Sequence, residues 1–497
     1  MLYAHTLGRA VRYYPDRAAF VDVDRRLSFA ELAARVDRLA AELVVRGFLP
    51  GDRLALLLPN CLEYIELVYA CCRLGVIVVP LNVRYAVPEI DEVLRDSTPK
   101  GLLRHSSLPR PTATVAWEVV LDQQPLAGNE AAPPEPFYGP EAIFGLFYTS
   151  GTTGRAKGVM LTHANLLANM HHSTRLLGIH GDSVWMHTAP MFHLADFPAI
   201  LNSPAEGGGQ ACIPRFEPRA FCEAVQAMRV THTILIPTMV NFLTQFEELD
   251  RYDLSSLELI TYGGSPIAPE IIKRTREKLP HVKLAQGYGL TEAAPLLTRL
   301  ADEDHTAGRI LSCGQPCAGV ELEIVDEQGR PVPAGQRGEI AARGANIMKG
   351  YWNKPEETAR AIVDGWLRTG DVAWQDEGGF VYIVDRAKDM IVTGGENVYS
   401  TEVEAVVYDH PAVKEAAVIG IPDPQWGELV TVCVVVKDGA TLAPEELTAH
   451  CRARLANYKI PRRIEFIAGE LPKSGTGKIL KRALREPYWK DAGRAVG

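Results

Sequence analysis

The chain has 497 residues, too many for a single hydrophobic core, and its length suggests roughly three domain-sized units. With 47% hydrophobic and 23% charged residues it reads as an ordinary globular protein and not a disordered one. A net charge of -9 argues against a nucleic-acid binder, which needs a basic face, so an anionic ligand would have to be held by local positive groups.

The amino-terminal stretch up to Phe20 is interrupted by Arg9, Arg12, Asp16 and Arg17 and has no signal-peptide core. Ser28 with Glu31 predicts a capping box opening a helix that stops at Gly47, and Arg53 to Leu58 reads as a buried strand. A helix from Cys61 to Leu74 then leads into the β-branched run Val76 to Val79. The longest apolar stretch, Ile65 to Leu81, contains Glu66 and Arg73 and falls short of a membrane span. The nine cysteines, Cys71, Cys72, Cys313 and Cys317 among them, lack paired CxxC elements and read as reduced, mostly buried thiols. Together these features predict a cytoplasmic location, with peripheral membrane contact left open.

Residues 105 to 140 lose periodicity and gain proline, as a surface connection would, before Ala142 to Tyr148 reads as a strand. That strand delivers the chain into Thr149-Ser150-Gly151-Thr152-Thr153-Gly154-Arg155-Ala156-Lys157. The glycines let backbone N–H groups approach a phosphate chain, the hydroxyls add donors, and Lys157 adds a compact charge. A Walker loop does not fit, because counting from Gly151 places Ala156 where a glycine is required and Gly158 where Ser or Thr should stand. A polar surface turn is the plain alternative. A helical stretch around Asn165 to Leu177 is expected next, aiming backbone donors at the ligand.

Further along, Gln286-Gly287-Tyr288-Gly289-Leu290-Thr291-Glu292 pairs an aromatic ring that could stack on a base with a hydroxyl and a carboxylate that could reach phosphate and Mg²⁺. From Gly319 to Arg343 short strands split by glycine turns suggest a small β-rich subdomain. Thr369-Gly370-Asp371 offers a carboxylate after a tight turn, suited to ribose hydroxyls. After Asp385 the texture changes: a Gly394-Gly395 loop, a helix begun by Thr401 with Glu404, strands near Ala416 to Ile421 and Val430 to Val436, and a helix from Pro444 to Leu455. Near the end, Lys478 follows the flexible run Lys473 to Gly477, where a solvated tail lysine is the alternative reading.

With these segments in this order, the sequence resembles the adenylate-forming superfamily of acyl-CoA synthetases, beetle luciferases and nonribosomal-peptide adenylation domains. Leu27 to Leu32, Gly338 to Trp352 and Asp385 to Asp389 are weaker matches, and the resemblance covers essentially the whole chain. It implies an α/β protein: a large amino-terminal domain of layered α/β sheets with the small β-rich subdomain (1–384), and a smaller mobile α+β domain (385–497) hinged near 385–388. It also implies a two-step reaction using ATP, Mg²⁺ and coenzyme A, in which a carboxylic acid becomes an acyl adenylate and then a thioester.

Carried over residue by residue, the resemblance suggests Thr149, Ser150, Gly151, Thr152, Thr153, Gly154 and Lys157 for the triphosphate. It suggests Gly263, Gly264, Ser265, Gly287, Tyr288 and Gly289 around adenine, with Asp371 and Arg386 for ribose. Thr291 would touch the α-phosphate, Glu292 would hold Mg²⁺, and Lys478 would be the catalytic lysine. Lys388 would be the hinge, and Gly394, Gly395 and Glu396 would lie beside the coenzyme A tunnel.

Phe192 and His193 match the gate of the acyl pocket, where the family has a small residue soon after the histidine and this chain has Ala195-Asp196-Phe197. Asp196 either faces a polar substrate group or points away, and Met239 is expected in the pocket wall. A medium- or long-chain fatty acid is the first expectation and an aryl or arylpropenoic acid the second. No cation in these segments suits a dicarboxylate. A stand-alone enzyme loading a carrier protein, and a non-catalytic nucleotide-binding relative, are the alternatives to a coenzyme A ligase. A homodimer is compatible with the sequence.

Overall fold

The computed structural model describes residues 5–126, 128–129, 138–150, 156–306, 308–386, 389–394, 396–475 and 477–490. Among them the strands form four sheets, one nine-stranded, one seven-stranded and two five-stranded. The two large sheets carry the amino-terminal body. In one, Arg53–Leu57 runs parallel between Ile77–Pro80 and Gly101–Arg104, and Ile77–Pro80, the central strand of the seven, is buried along its whole length. Parallel strands covered on both faces need such unbroken apolar runs, which is why these segments show no alternation in the sequence.

In the other sheet Val184–His187, His232–Leu235, Leu259–Gly263 and Lys283–Gly289 are parallel neighbours in that order. All their carboxyl ends therefore open toward one edge of the sheet, the usual place for a site in an open α/β layer.

Local signals explain most of the elements. Helix Phe29–Val45 starts at the expected capping box, with Ser28 accepting from the Glu31 N–H and Glu31 accepting from the Ser28 N–H at 2.8 Å. Helix Leu62–Leu74 ends at Gly75, which takes φ +70°. No disulfide forms, and seven of the nine cysteines are buried, as expected of reduced thiols. Among the described residues no helix is long and apolar enough to cross a membrane.

Three expectations need correction. After the glycine-rich loop the chain returns as strand Ala156–Thr162, antiparallel to Ile143–Ser150, and only then enters helix His163–Leu177. The described residues on either side of the loop are thus paired strands, and the helix comes only after the second of them. The stretch from 105 to 140 contains a short strand, Trp117–Val120, at the sheet edge. The capping box at Thr401 is absent: helix Ser400–Tyr408 is capped at Tyr399, the Thr401 hydroxyl donates to the Val384 carbonyl, and Glu404 pairs with Lys481 at 2.8 Å. Tertiary partners outbid the local pattern.

The β-rich subdomain comprises Val320–Val325, Gly338–Gly344 and Trp366–Gln375 with their short neighbours. The carboxyl-terminal sheet is built on the long hairpin Val413–Asp423 with Gly427–Val436, and its own core contains Ile391, Val403, Val418, Val432 and Leu447. A core of this kind makes it a separate packing unit.

Candidate active site

The site is assembled from strand ends and the turns that follow them. The hairpin register sets Thr149 opposite Lys157 and Ser150 opposite Ala156. Its base is fixed from outside, because the Tyr148 hydroxyl donates to Asp96 at 2.6 Å and Trp352 Nε1 donates to the Asp96 carbonyl. Gly151, Thr152, Thr153 and Gly154, the tip of the proposed phosphate loop, lie outside the described residues.

Lys157 places its Nζ over the Tyr351 ring, 5.1 Å from the centroid, and the same tyrosine donates its hydroxyl to Glu292 at 2.8 Å. Burial, then the Glu292 charge, raises the Tyr351 phenol, so it stays protonated and remains a donor. Tyr351 thus joins the lysine of the loop to the carboxylate of the turn Thr291–Ala293. Behind that turn, Asn346 Nδ2 donates to the carbonyls of Ala293 and Leu296, and the Met348 N–H donates to that of Glu292. Neither Tyr351 nor Asn346 was singled out by sequence reasoning. Their segment was matched only as a block, and its one legible signal was the aromatic pair after Gly350.

Gly263 and Gly287 face each other across two parallel strands, and a Cβ on Gly263 would stand 2.3 Å from the Gly287 carbonyl oxygen, so no side chain fits there. Gly264 adopts φ +82°, which suits only glycine without strain, and Ser265 continues the same bend. Tyr288 and Gly289 end the neighbouring strand. The Tyr288 hydroxyl donates to Asp371 at 2.7 Å, and Asp371 is buried in strand Trp366–Gln375 with its backbone opposite Arg386. The structure therefore brings the expected adenine and ribose residues together through a direct hydrogen bond.

Lys478 arrives from the carboxyl-terminal unit. A Cβ built on Gly264 would lie 3.2 Å from Lys478 Cε and 3.6 Å from its Nζ. The Lys478 charge is felt at His193, whose imidazole is pushed down to about 3 by burial and then by that charge. His193 is therefore neutral, and because Nδ1 accepts from the Ala195 N–H at 3.1 Å its proton belongs on Nε2. Phe192 precedes it in the same turn, and Met239 packs with Ile236 and Val240 in helix Pro237–Gln245 and its cap.

Asp196 does not face the acyl side. It is fully buried, with Oδ1 accepting from Trp185 Nε1 at 2.9 Å and Oδ2 from His187 Nδ1 at 2.8 Å. The turn after His193 directs it inward, so the reading in which it points away is the one found.

Gly394 adopts φ +60° and gives its N–H to the Trp426 carbonyl at 2.7 Å. Glu396 is exposed on strand Glu396–Val398, while Gly395 and Lys388 lie outside the described residues. The basic residues near 460 are partly committed: Lys459 pairs with Glu402, Arg463 with Glu465, and Arg462 stacks on Trp426 at 4.2 Å.

Two other histidines resemble His193: burial pushes His163 and His232 down to about 4 from 6.5. Unfolding lets each take up a proton between those values, so the folded state loses about 1.4 kcal/mol per pH unit per histidine as pH falls through that window. Burial opposes the charge on His187, but Asp196 and Gln210 raise it on balance, and this opposite-signed effect acts above 6.5. The expected result is an apparent melting temperature that drops steeply between pH 6.5 and about 4.5. A flat profile over that range in thermal denaturation would contradict these burials.

Comparison with known proteins agrees with this geometry. The model of the AMP-binding enzyme family matches residues 7–352, and that of the AMP-binding enzyme C-terminal domain matches 402–478. Feruloyl-CoA synthase of an Amycolatopsis species is 40% identical over 97% of this chain and 98% of its own. A long-chain-fatty-acid–CoA ligase of Mycobacterium tuberculosis is 34% identical over 95% and 96%. The o-succinylbenzoate CoA synthetase of Bacillus subtilis, solved with its acyl-adenylate intermediate, superimposes with a TM-score of 0.86 at 32% identity, covering 97% of each chain. Another structure of that synthetase holds ATP and magnesium ion. The chain belongs to the AMP-binding enzyme family, and within it to the AMP-forming acyl-CoA ligases of the adenylate-forming superfamily.

Proposed function

We propose that this enzyme activates an arylpropenoic or related aryl carboxylic acid. A carboxylate oxygen attacks the α-phosphorus of ATP, the bond to pyrophosphate breaks, and the thiol of coenzyme A then attacks the acyl carbon and releases AMP. The observation that carries the adenylation chemistry is the approach of Lys478 to Gly264, with its charge felt at His193, which is where an acid and an α-phosphate would have to meet. Two anions approach there, and a fixed cation with the neutral His193 as a donor offsets their repulsion.

Lys157 and the loop before it would hold the outer phosphates, Tyr288 and Asp371 the nucleoside, and Thr291 the α-phosphate. Mg²⁺ fits Glu292, because a single carboxylate beside a phosphate-binding lysine is the sparse protein donor set this ion accepts. Bound there with the phosphates, the ion would neutralise charge on the leaving pyrophosphate. Between the steps the carboxyl-terminal unit would turn about the 385–388 segment, withdrawing Lys478 and bringing the Gly394 to Glu396 hairpin toward coenzyme A. A cytoplasmic location and a homodimer are compatible with this reading.

The order of substrates departs from the first expectation of a fatty acid. Its support is the 40% identity to a feruloyl-CoA synthase, against 34% to a fatty-acid ligase. The fatty-acid reading stays as the second, favoured by that ligase and by the apolar helix carrying Met239. We expect kcat/KM for thioester formation with ferulic or cinnamic acid to exceed that with decanoic or palmitic acid by at least about tenfold. The reverse order in a direct assay of acyl-CoA product would reinstate the fatty acid.

A further inference from the structure

The hairpin that carries Lys478 is closed by bonds between its two arms. Lys473 and Ile479 form an antiparallel bridge, Ser474 and Lys478 are joined by an N–H···O bond of 2.7 Å, and the Lys478 N–H donates to Ser474 Oγ. Lys473 at its base pairs with the buried Glu415 at 2.6 Å. A hairpin on a separate unit presents its lysine to the site only while it is seated, so the contacts that seat it govern when Lys478 is in the site.

Those contacts come from the amino-terminal body. Arg84 Nη1 donates to the Ser474 carbonyl at 3.1 Å, Thr238 Oγ1 to the Gly477 carbonyl at 3.2 Å, and Asn241 Nδ2 to the Lys414 carbonyl at 3.1 Å. Close packing adds to them: a Cβ on Gly475 would strike the Asn82 side chain at 2.0 Å, and one on Gly477 would lie 2.5 Å from Ile236 Cδ1. All three acceptors are backbone carbonyls of the carboxyl-terminal unit, and all three donors are side chains of the other unit. Two of the donors stand on helix Pro237–Gln245, and Asn241 is held in turn by Arg274 and Gln245. The third, Arg84, stands in a turn where its own N–H donates to Asn82 Oδ1 at 3.0 Å.

We propose that Arg84, Thr238 and Asn241 are positioning residues that latch the carboxyl-terminal unit in the posture that delivers Lys478, and so set the rate of acyl-adenylate formation without serving the thiol step. Their bonds to the carboxyl-terminal unit are made to its backbone, so they act through the hairpin and the strand beside it. Turning the unit away breaks all three bonds at once and asks nothing of these side chains afterwards. This inference rests on the two-step reading above.

The test uses the full-length enzyme and measures the half-reactions separately. In Arg84→Ala and in Thr238→Val, which keeps its shape and loses only the donor, acid-dependent pyrophosphate exchange should slow about tenfold in kcat with KM for ATP and acid nearly unchanged. Thioester formation from supplied acyl adenylate and coenzyme A should keep its rate, and Arg84→Lys should recover part of the exchange. Equal losses in both half-reactions, a loss confined to the thiol step, or no loss in either variant would each overturn the latch. Failure of the wild-type enzyme to catalyse acid-dependent exchange would instead remove the underlying reading, so the two failures are distinct.

Discussion

Lys478→Ala is expected to slow acyl-adenylate formation by about 10²- to 10⁴-fold while leaving thioester formation from supplied acyl adenylate largely intact. The magnitude follows from charge. A unit cation about 4 Å from a developing negative charge, at an effective dielectric near 20, is worth roughly 4 kcal/mol, or on the order of a thousandfold in rate. The asymmetry follows from architecture, since Lys478 reaches the cleft from a separate packing unit and approaches Gly264 without belonging to its sheet. A group mounted in this way can serve one step and be absent from the next. Pyrophosphate exchange and single-turnover acyl transfer, measured side by side, check it. Parallel losses would mean that the lysine supports the fold or both steps, and that the unit does not alternate.

Asp196→Ala should have the largest effect on stability. The carboxylate accepts from two buried donors, Trp185 Nε1 and His187 Nδ1, while His187 Nε2 lies 3.0 Å from Gln210 Oε1. Burial opposes the charge on His187, but Asp196 and Gln210 raise it above the ordinary imidazole value, so Asp196 stands as the counter-ion of its protonated form. Removing one member of a buried pair leaves the other, together with the Trp185 N–H, without its partner, which costs about 3–5 kcal/mol. The apparent melting temperature should fall by roughly 5–10 °C, and the surviving enzyme should rank carboxylic acids as the wild type does. A stable variant with a changed acid preference would return Asp196 to the acyl pocket.

Asp196 also shows where sequence reasoning ends. Its place three residues after His193 is visible in the chain, but the inward turn is decided by Trp185 and His187 on a strand whose distance in space no local pattern reveals. The loop that ends at Lys157 was legible because its glycines, hydroxyls and lysine have few other uses, whereas the strand after it was not. Ala156–Thr162 holds a glycine and a lysine and pairs with Ile143–Ser150 only through tertiary register. Glu404 taught the same lesson, since the spacing of a capping box was present and Lys481 claimed the carboxylate.

By contrast, Ser28 and Glu31 formed their box, each bonded to the other within one turn of the helix start. Tyr351 was missed for a different reason: its role exists only where Lys157 and Glu292 converge on it, and those residues are 135 apart in the chain. Local chemistry is written locally; convergence is not.

The most direct measurement of the whole account is the product balance of the purified enzyme given ferulic acid, ATP with Mg²⁺, and coenzyme A. AMP, pyrophosphate and feruloyl thioester are expected in equal amounts, none of them forming when the acid is left out. ADP and phosphate as products, or AMP released with no thioester, would contradict it.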